Sequence, residues 1–186
     1  MTLSLADPRE HIHTRSVESS GFKRNDGMWD IEATLKDIKP YEVPNEWRGT
    51  LKPGDPIHHM KVRLTINNDF VIHKVEVVMI DTPFEICGEV GPSFQKLIGI
   101  CISSGWNKSV QKVAGGTAGC THIVELMRVI GTVAYQTLYP LVRMEKEASE
   151  QTSRPPIIGT CKAFAPDSPV TKRIYPDWYE KPSEKL

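Results

Sequence analysis

The run Gly115-Gly116-Thr117-Ala118-Gly119-Cys120-Thr121-His122-Ile123-Val124-Glu125-Leu126 sets a thiol, an imidazole and a carboxylate at the start of an amphipathic helix. These are the parts of a metal site or of a reactive thiolate. A helix N-terminus lowers a cysteine pKa through its unpaired N–H groups and its dipole, which favours the thiolate that both chemistries need. His122 and Glu125, spaced i and i+3, project from one face of that helix. The preceding glycines could cradle an anion through backbone N–H groups, but the lysine and spacing of a phosphate-binding P-loop are missing. No serine-nucleophile motif, dinucleotide fingerprint or nucleic-acid module occurs in the chain.

Periodicity supplies the elements around this run. Residues 1–27 carry His11, His13 and a polar stretch with little apolar pattern, and read as an arm. From Met28 onward, Trp29, Ile31, Ala33 and Leu35 alternate with polar residues, the pattern of a half-buried strand. Four prolines and two glycines between Pro40 and Pro56 make a loop. Met60, Val62, Leu64 and Ile66, the turn Asn67-Asn68-Asp69, and then Val71, Val75, Val77 and Met79 predict a β-hairpin. Gly91-Pro92-Ser93 opens a predicted helix with the stripe Phe94, Leu97, Ile98 and Cys101, ended by Gly105. A short helical piece at Lys108–Val113 leads to the glycine turn. Ile123, Leu126, Met127, Ile130, Ala134 and Leu138 then stripe a long helix running to about residue 148. Beyond Arg154-Pro155-Pro156 lies an irregular tail with Cys161 and the cluster Tyr175 to Tyr179. The expectation is an α+β fold: a small antiparallel sheet of about three strands packed on two or three helices. One domain, 1–186, comprises an arm at 1–27, a core at 28–148 and a tail at 149–186.

Composition bounds the partners. Lys+Arg and Asp+Glu are balanced at 23 each, so no basic footprint argues for nucleic acid or an anionic membrane. No run approaches the roughly 18 apolar residues of a membrane span, and no secretory pattern opens the chain. A cytoplasmic protein with a small-molecule substrate is expected. Exposed residues of the first strand suit a homodimer interface as well as a substrate. The four cysteines then read as free thiols or metal ligands.

The order strand, hairpin, cysteine, helix, glycine turn, cysteine, long helix resembles the iron–sulphur scaffold fold of IscU and NifU N-terminal domains, across about residues 55–142. In that fold the ligands come from a cysteine entering the hairpin, a cysteine at the first helix and a His-Cys pair starting the last helix. The matching positions here are His58 or His59, Cys87, and Cys120 with His122. The whole chain is also similar to an uncharacterised bacterial family sharing Asp-Gly-Xaa-Trp-Asp, here Asp26–Asp30, and Gly-Cys-Thr-His, here Gly119–His122. Two departures shift the implied chemistry: a histidine stands in place of the hairpin cysteine, and the last pair runs Cys-Thr-His. A mixed His58, Cys87, Cys120, His122 set suits one zinc or iron ion better than a cluster held by four thiolates.

Each residue also has a structural reading. Cys120 and Cys87 could be buried small thiols, and His122 could merely cap its helix. His58 shares the parity of Met60, Val62 and Leu64 and points toward the helix layer, whereas His59 points outward. Cys101 belongs to an apolar stripe, Cys161 reaches the site only if the tail folds back, His73 reads as core, and His11 and His13 as solvated. The resulting expectation is a metal-dependent lyase or hydrolase acting on a small carbonyl or carboxylate compound, with Glu125 or Glu89 carrying protons. The alternative is a non-catalytic zinc or iron–sulphur carrier. A metal-free Cys120 nucleophile ranks last.

Overall fold

A computed structural model describes residues 2–143 and 154–181. The chain divides into two compact units, Met1–Pro140 and Leu141–Leu186. The first unit is α+β, built on a four-stranded antiparallel sheet in the order β1-β2-β3-β4. β2 (Trp29–Ile38) forms where the alternation places it: Trp29, Ile31, Ala33 and Leu35 are buried, while the intervening side chains are half-buried or exposed. β3 (Pro56–Ile66) and β4 (Ile72–Asp81) make the hairpin. At its turn the Asn67 side-chain oxygen accepts the N–H groups of Asp69 and Val71, the Asx device that lets asparagine reverse a chain.

The sheet has four strands where about three were expected. The extra one, β1 (Thr14–Lys23), lies within the segment predicted to be an arm, and pairs in full register with β2. Its inward row, Arg15, Val17, Ser19 and Gly21, holds a single large apolar residue and so shows no apolar alternation. One of them, Gly21, shows why: a Cβ there would stand 2.0 Å from Thr137 Oγ1 on the helix above. Only glycine lets that helix lie so close.

The helices cover one face. α1 (Gly91–Phe94) continues as a short 3₁₀ turn, Gln95–Leu97, and stops. The longer predicted helix to Gly105 does not form, because Gly99 turns with φ 85 and residues 99–102 bond to the start of β4 instead: Gly99 N–H to Ile72 O, Ile72 N–H to Ile100 O, and Ile102 N–H to Phe70 O. Phe94 and Leu97 stay buried, whereas Ile98 and Cys101 are exposed and leave the expected stripe. His73, expected in the core, is exposed as well. α2 (Trp106–Ala114) and α3 (Thr121–Leu138) pack together, and the buried Trp106 indole donates to Met127 O at 2.7 Å beside Gly131. α3 lies across β1 and β2 with Ile123, Leu126, Met127, Ile130, Ala134 and Leu138 in the core. Its α-helical span ends at Leu138, where Pro140 has no N–H to continue the ladder, and a π-helical turn, Tyr139–Arg143, follows; the remainder of the predicted run to about residue 148 lies outside the described residues.

In the second unit α4 (Pro169–Ile174) is capped by Ser168, whose Oγ accepts the Thr171 N–H at 3.0 Å, and Cys161 is exposed. Among the described residues, no helix is long and apolar enough to cross a membrane.

Candidate functional site

Three strands carry one row of polar side chains. Arg15 on β1 lies opposite Asp37 on β2, which lies opposite His58 on β3. Residues directly opposite one another in antiparallel strands point to the same face, here the helix-covered one, because Asp37 continues the row of Trp29, Ile31, Ala33 and Leu35. It is 2% exposed. The register shifts between Asp37 and Ile38, so the row sits where regular pairing ends, a common position for functional side chains.

The Asp37 carboxylate is fully engaged. Arg15 grips it bidentately, Nε to Oδ1 and Nη2 to Oδ2, both at 2.8 Å. His13 Nε2 meets Oδ1 at 3.1 Å and His58 Nδ1 meets Oδ2 at 3.0 Å. From above, α3 brings His122, whose Nε2 is 3.9 Å from Asp37 Oδ2 and whose ring centroid is 4.0 Å from that of His58. On its other side His122 Nδ1 lies 3.6 Å from Cys120 Sγ. Arg15 Nη1 donates to Glu125, so one guanidinium ties β2 to α3.

Electrostatics follow from this packing. Burial acts to raise the Asp37 pKa, but the Arg15 hydrogen bonds and charge, helped by His58 and His13, outweigh it and hold the carboxyl below its ordinary range. Arg15 is raised in turn, chiefly by its hydrogen bonds to Asp37. Burial pushes His58 down, with His122 adding to the effect and Asp37 opposing it. His122 is also pushed down by burial and then by Arg15, against Asp37 and Glu125. Both imidazoles are therefore neutral at pH 7. An ionised carboxylate only accepts, so His58 donates its Nδ1–H to Asp37 and keeps Nε2 as a lone-pair donor.

Asp37, His58 and His122 each offer a ligand atom, and these atoms lie within 4.8 Å of one another. That is the donor set of a possible metal-binding triad, with neutral imidazoles in the form a metal requires. Because the acceptor positions of Asp37 are already taken by Arg15, His13 and His58, the carboxylate as it stands orients His58 in the manner of an outer-shell partner.

Of the residues expected at the site, His58 and His122 come together and Cys120 abuts His122. Cys87 lies in the 3₁₀ turn Glu85–Val90 and belongs to no such ligand group among the described residues. Glu125 reaches the site through Arg15, while Glu89, in the same turn as Cys87, is exposed. His59 faces away and pairs with Asp81 at 3.6 Å. His13, expected to be solvated, binds Asp37. Asp37 and Arg15 were not foreseen, yet one signal existed: Asp37 has the parity of the buried row from Trp29 to Leu35, and a carboxylate that continues an apolar row must be paired.

The family model described as Protein of unknown function (DUF2889) matches residues 13–136, and the chain belongs to that family. The matched span contains His13, Arg15, Asp37, His58, Cys120, His122 and Glu125. No curated protein and no solved structure matches the chain, so nothing is added to the likeness to the iron–sulphur scaffold fold.

Proposed function

We propose that this DUF2889 protein is a metal-dependent enzyme that acts on a small carbonyl or carboxylate compound by lyase or hydrolase chemistry. One zinc or iron ion would be held by His58 and His122, with Asp37 behind His58 as its hydrogen-bonded partner, while Cys120 lies on the opposite, Nδ1 side of His122. The observation that carries this reading is the convergence of two imidazoles and a buried carboxylate from β2, β3 and α3. Two histidines, one of them oriented by Asp37, leave open coordination positions, where a bound metal would polarise a carbonyl oxygen or activate water. Arg15 holds Asp37 and, through it, the tautomer of His58. Glu125 is the proton carrier best supported by position, since its carboxylate is half-exposed and already at the site. Glu89 has no described partner drawing it there.

A cluster carrier is less well supported. It needs several thiolates at one point, whereas the described ligand group contains none.

Metal analysis with a visible spectrum on anaerobically purified protein tests the proposal. About one zinc or iron per chain without sulphide bands is expected, lost in His58→Ala and His122→Ala. Full metal content in both variants would sink the site, and acid-labile sulphide would favour the carrier.

A further inference from the structure

We infer that the cleft between α2 and α3 receives the carboxylate of a small oxo acid, with Arg128 and Arg15 as its receptors and Glu125 as an internal stand-in that the ligand displaces. The inference deepens the metal-enzyme reading and relies on it for the reaction, though not for binding. The cleft has a volume of about 290 Å³. Thr121, Glu125 and Arg128 project into it from one face of α3, spaced i, i+4 and i+7, and Gln111 and Gly116 close the other side.

Three observations give it a preference for carboxylate. Arg128 lines the cleft with no ion-pair partner among the described residues, and an arginine fork fits a carboxylate bidentately. Arg15 commits Nε and Nη2 to Asp37 but gives Nη1 to Glu125, so the position beside Glu125 demonstrably accepts a carboxylate. Glu125 itself is only weakly held, since its side chain is 51% exposed and exposed ion pairs contribute little. An incoming carboxylate that takes its place on Arg15 turns Glu125 loose beside the His58–His122 pair, where a proton carrier is needed.

The test is a titration of the full chain with pyruvate and with its neutral amide, followed in ¹H–¹⁵N spectra, on protein stripped by a chelator and on zinc-loaded protein. Pyruvate is expected to shift the Gln111, Gly116, Thr121 and Glu125 amides saturably, with the amide and the Arg128→Gln variant each binding about tenfold more weakly. Glu125→Gln removes the internal competitor and should tighten pyruvate binding by roughly two- to fivefold, a gain that structural damage does not produce. Equal binding of acid and amide, weaker binding by Glu125→Gln, or no saturable shift in either form would overturn the inference. Saturable binding in the stripped protein, strengthened by Glu125→Gln, keeps the cleft even where metal analysis finds no ion. Metal that depends on His58 and His122, together with a silent pyruvate titration, leaves the metal site and removes the cleft.

Discussion

Replacing Asp37 by Asn keeps the shape of the side chain and deletes its charge, so it probes the centre of the network directly. The Asp37 side chain is 3% exposed and that of Arg15 is 30% exposed. Breaking a buried pair costs about 3–5 kcal/mol, because the remaining charge is left uncompensated. Partial exposure of Arg15 lets water screen it, which puts this case near the lower limit, at about 3 kcal/mol. Asn also presents an NH₂ where a second acceptor oxygen stood, setting donor against an Arg15 donor in either orientation, and against His58 as well in one of them. For a chain of this size about 3 kcal/mol corresponds to a fall in Tm of about 6–12 °C, measurable by calorimetry or urea titration, and small enough for the variant to remain folded. Loss of the carboxylate that fixes the His58 tautomer should also weaken zinc binding about 10- to 100-fold, read by competition with a chromogenic chelator. A stability within about 0.5 kcal/mol of the parent would refute the claim that Asp37 organises the site. A destabilised variant with unchanged zinc affinity would leave the network structural and move the metal elsewhere.

Acid should destabilise the protein in two windows. His58 and His122 have folded pKa values below the unfolded one of about 6.5, so between those values the unfolded state binds more protons, and stability is lost as pH falls from about 6.5. Asp37, also depressed, adds a second loss below the ordinary carboxylate range; urea midpoints from pH 8 to 3 read both steps, and a first step unchanged in a His58→Asn/His122→Asn double variant would show that other groups cause it. Gly21→Ala should cost about 1–3 kcal/mol by forcing α3 off β1. A second change, Thr137→Gly, should recover part of that loss, and purely additive effects in this pair would exclude the close contact as the cause.

Legibility in the sequence tracked burial of apolar side chains. β2, β3 and α3 announced themselves because Trp29 to Leu35, Met60 to Ile66 and Ile123 to Leu138 each bury an apolar row at the period of their element. β1 did not, because of its inward positions only Val17 is apolar, while Arg15, Ser19 and Gly21 serve pairing and close approach. The predicted first helix had the correct stripe at Phe94 and Leu97, and lost its continuation to a backbone bridge with β4 that no side-chain pattern reports. His58 was placed on the correct face by parity and His122 by its helix. Their shared partner Asp37 leaves no spacing signal along the chain, because the site is assembled across strands by register.

The composition of this cluster also separates a site from a mere staple. A buried ion pair adds little net stability over apolar residues of similar volume, and replacing one by apolar packing is often neutral or stabilising. Asp37, at the end of the row Trp29, Ile31, Ala33 and Leu35, stands where one further apolar residue would extend the core. The chain instead gathers a guanidinium, three imidazoles and a carboxylate at one point, and burial keeps two of those imidazoles uncharged. Neutral histidines beside an ionised carboxylate forgo the charge pairing that would make the cluster a strong staple, and they retain the lone pairs that bind a metal or accept a proton. Stability alone does not account for that choice of residues, which is the one the proposed metal site at His58 and His122 would require.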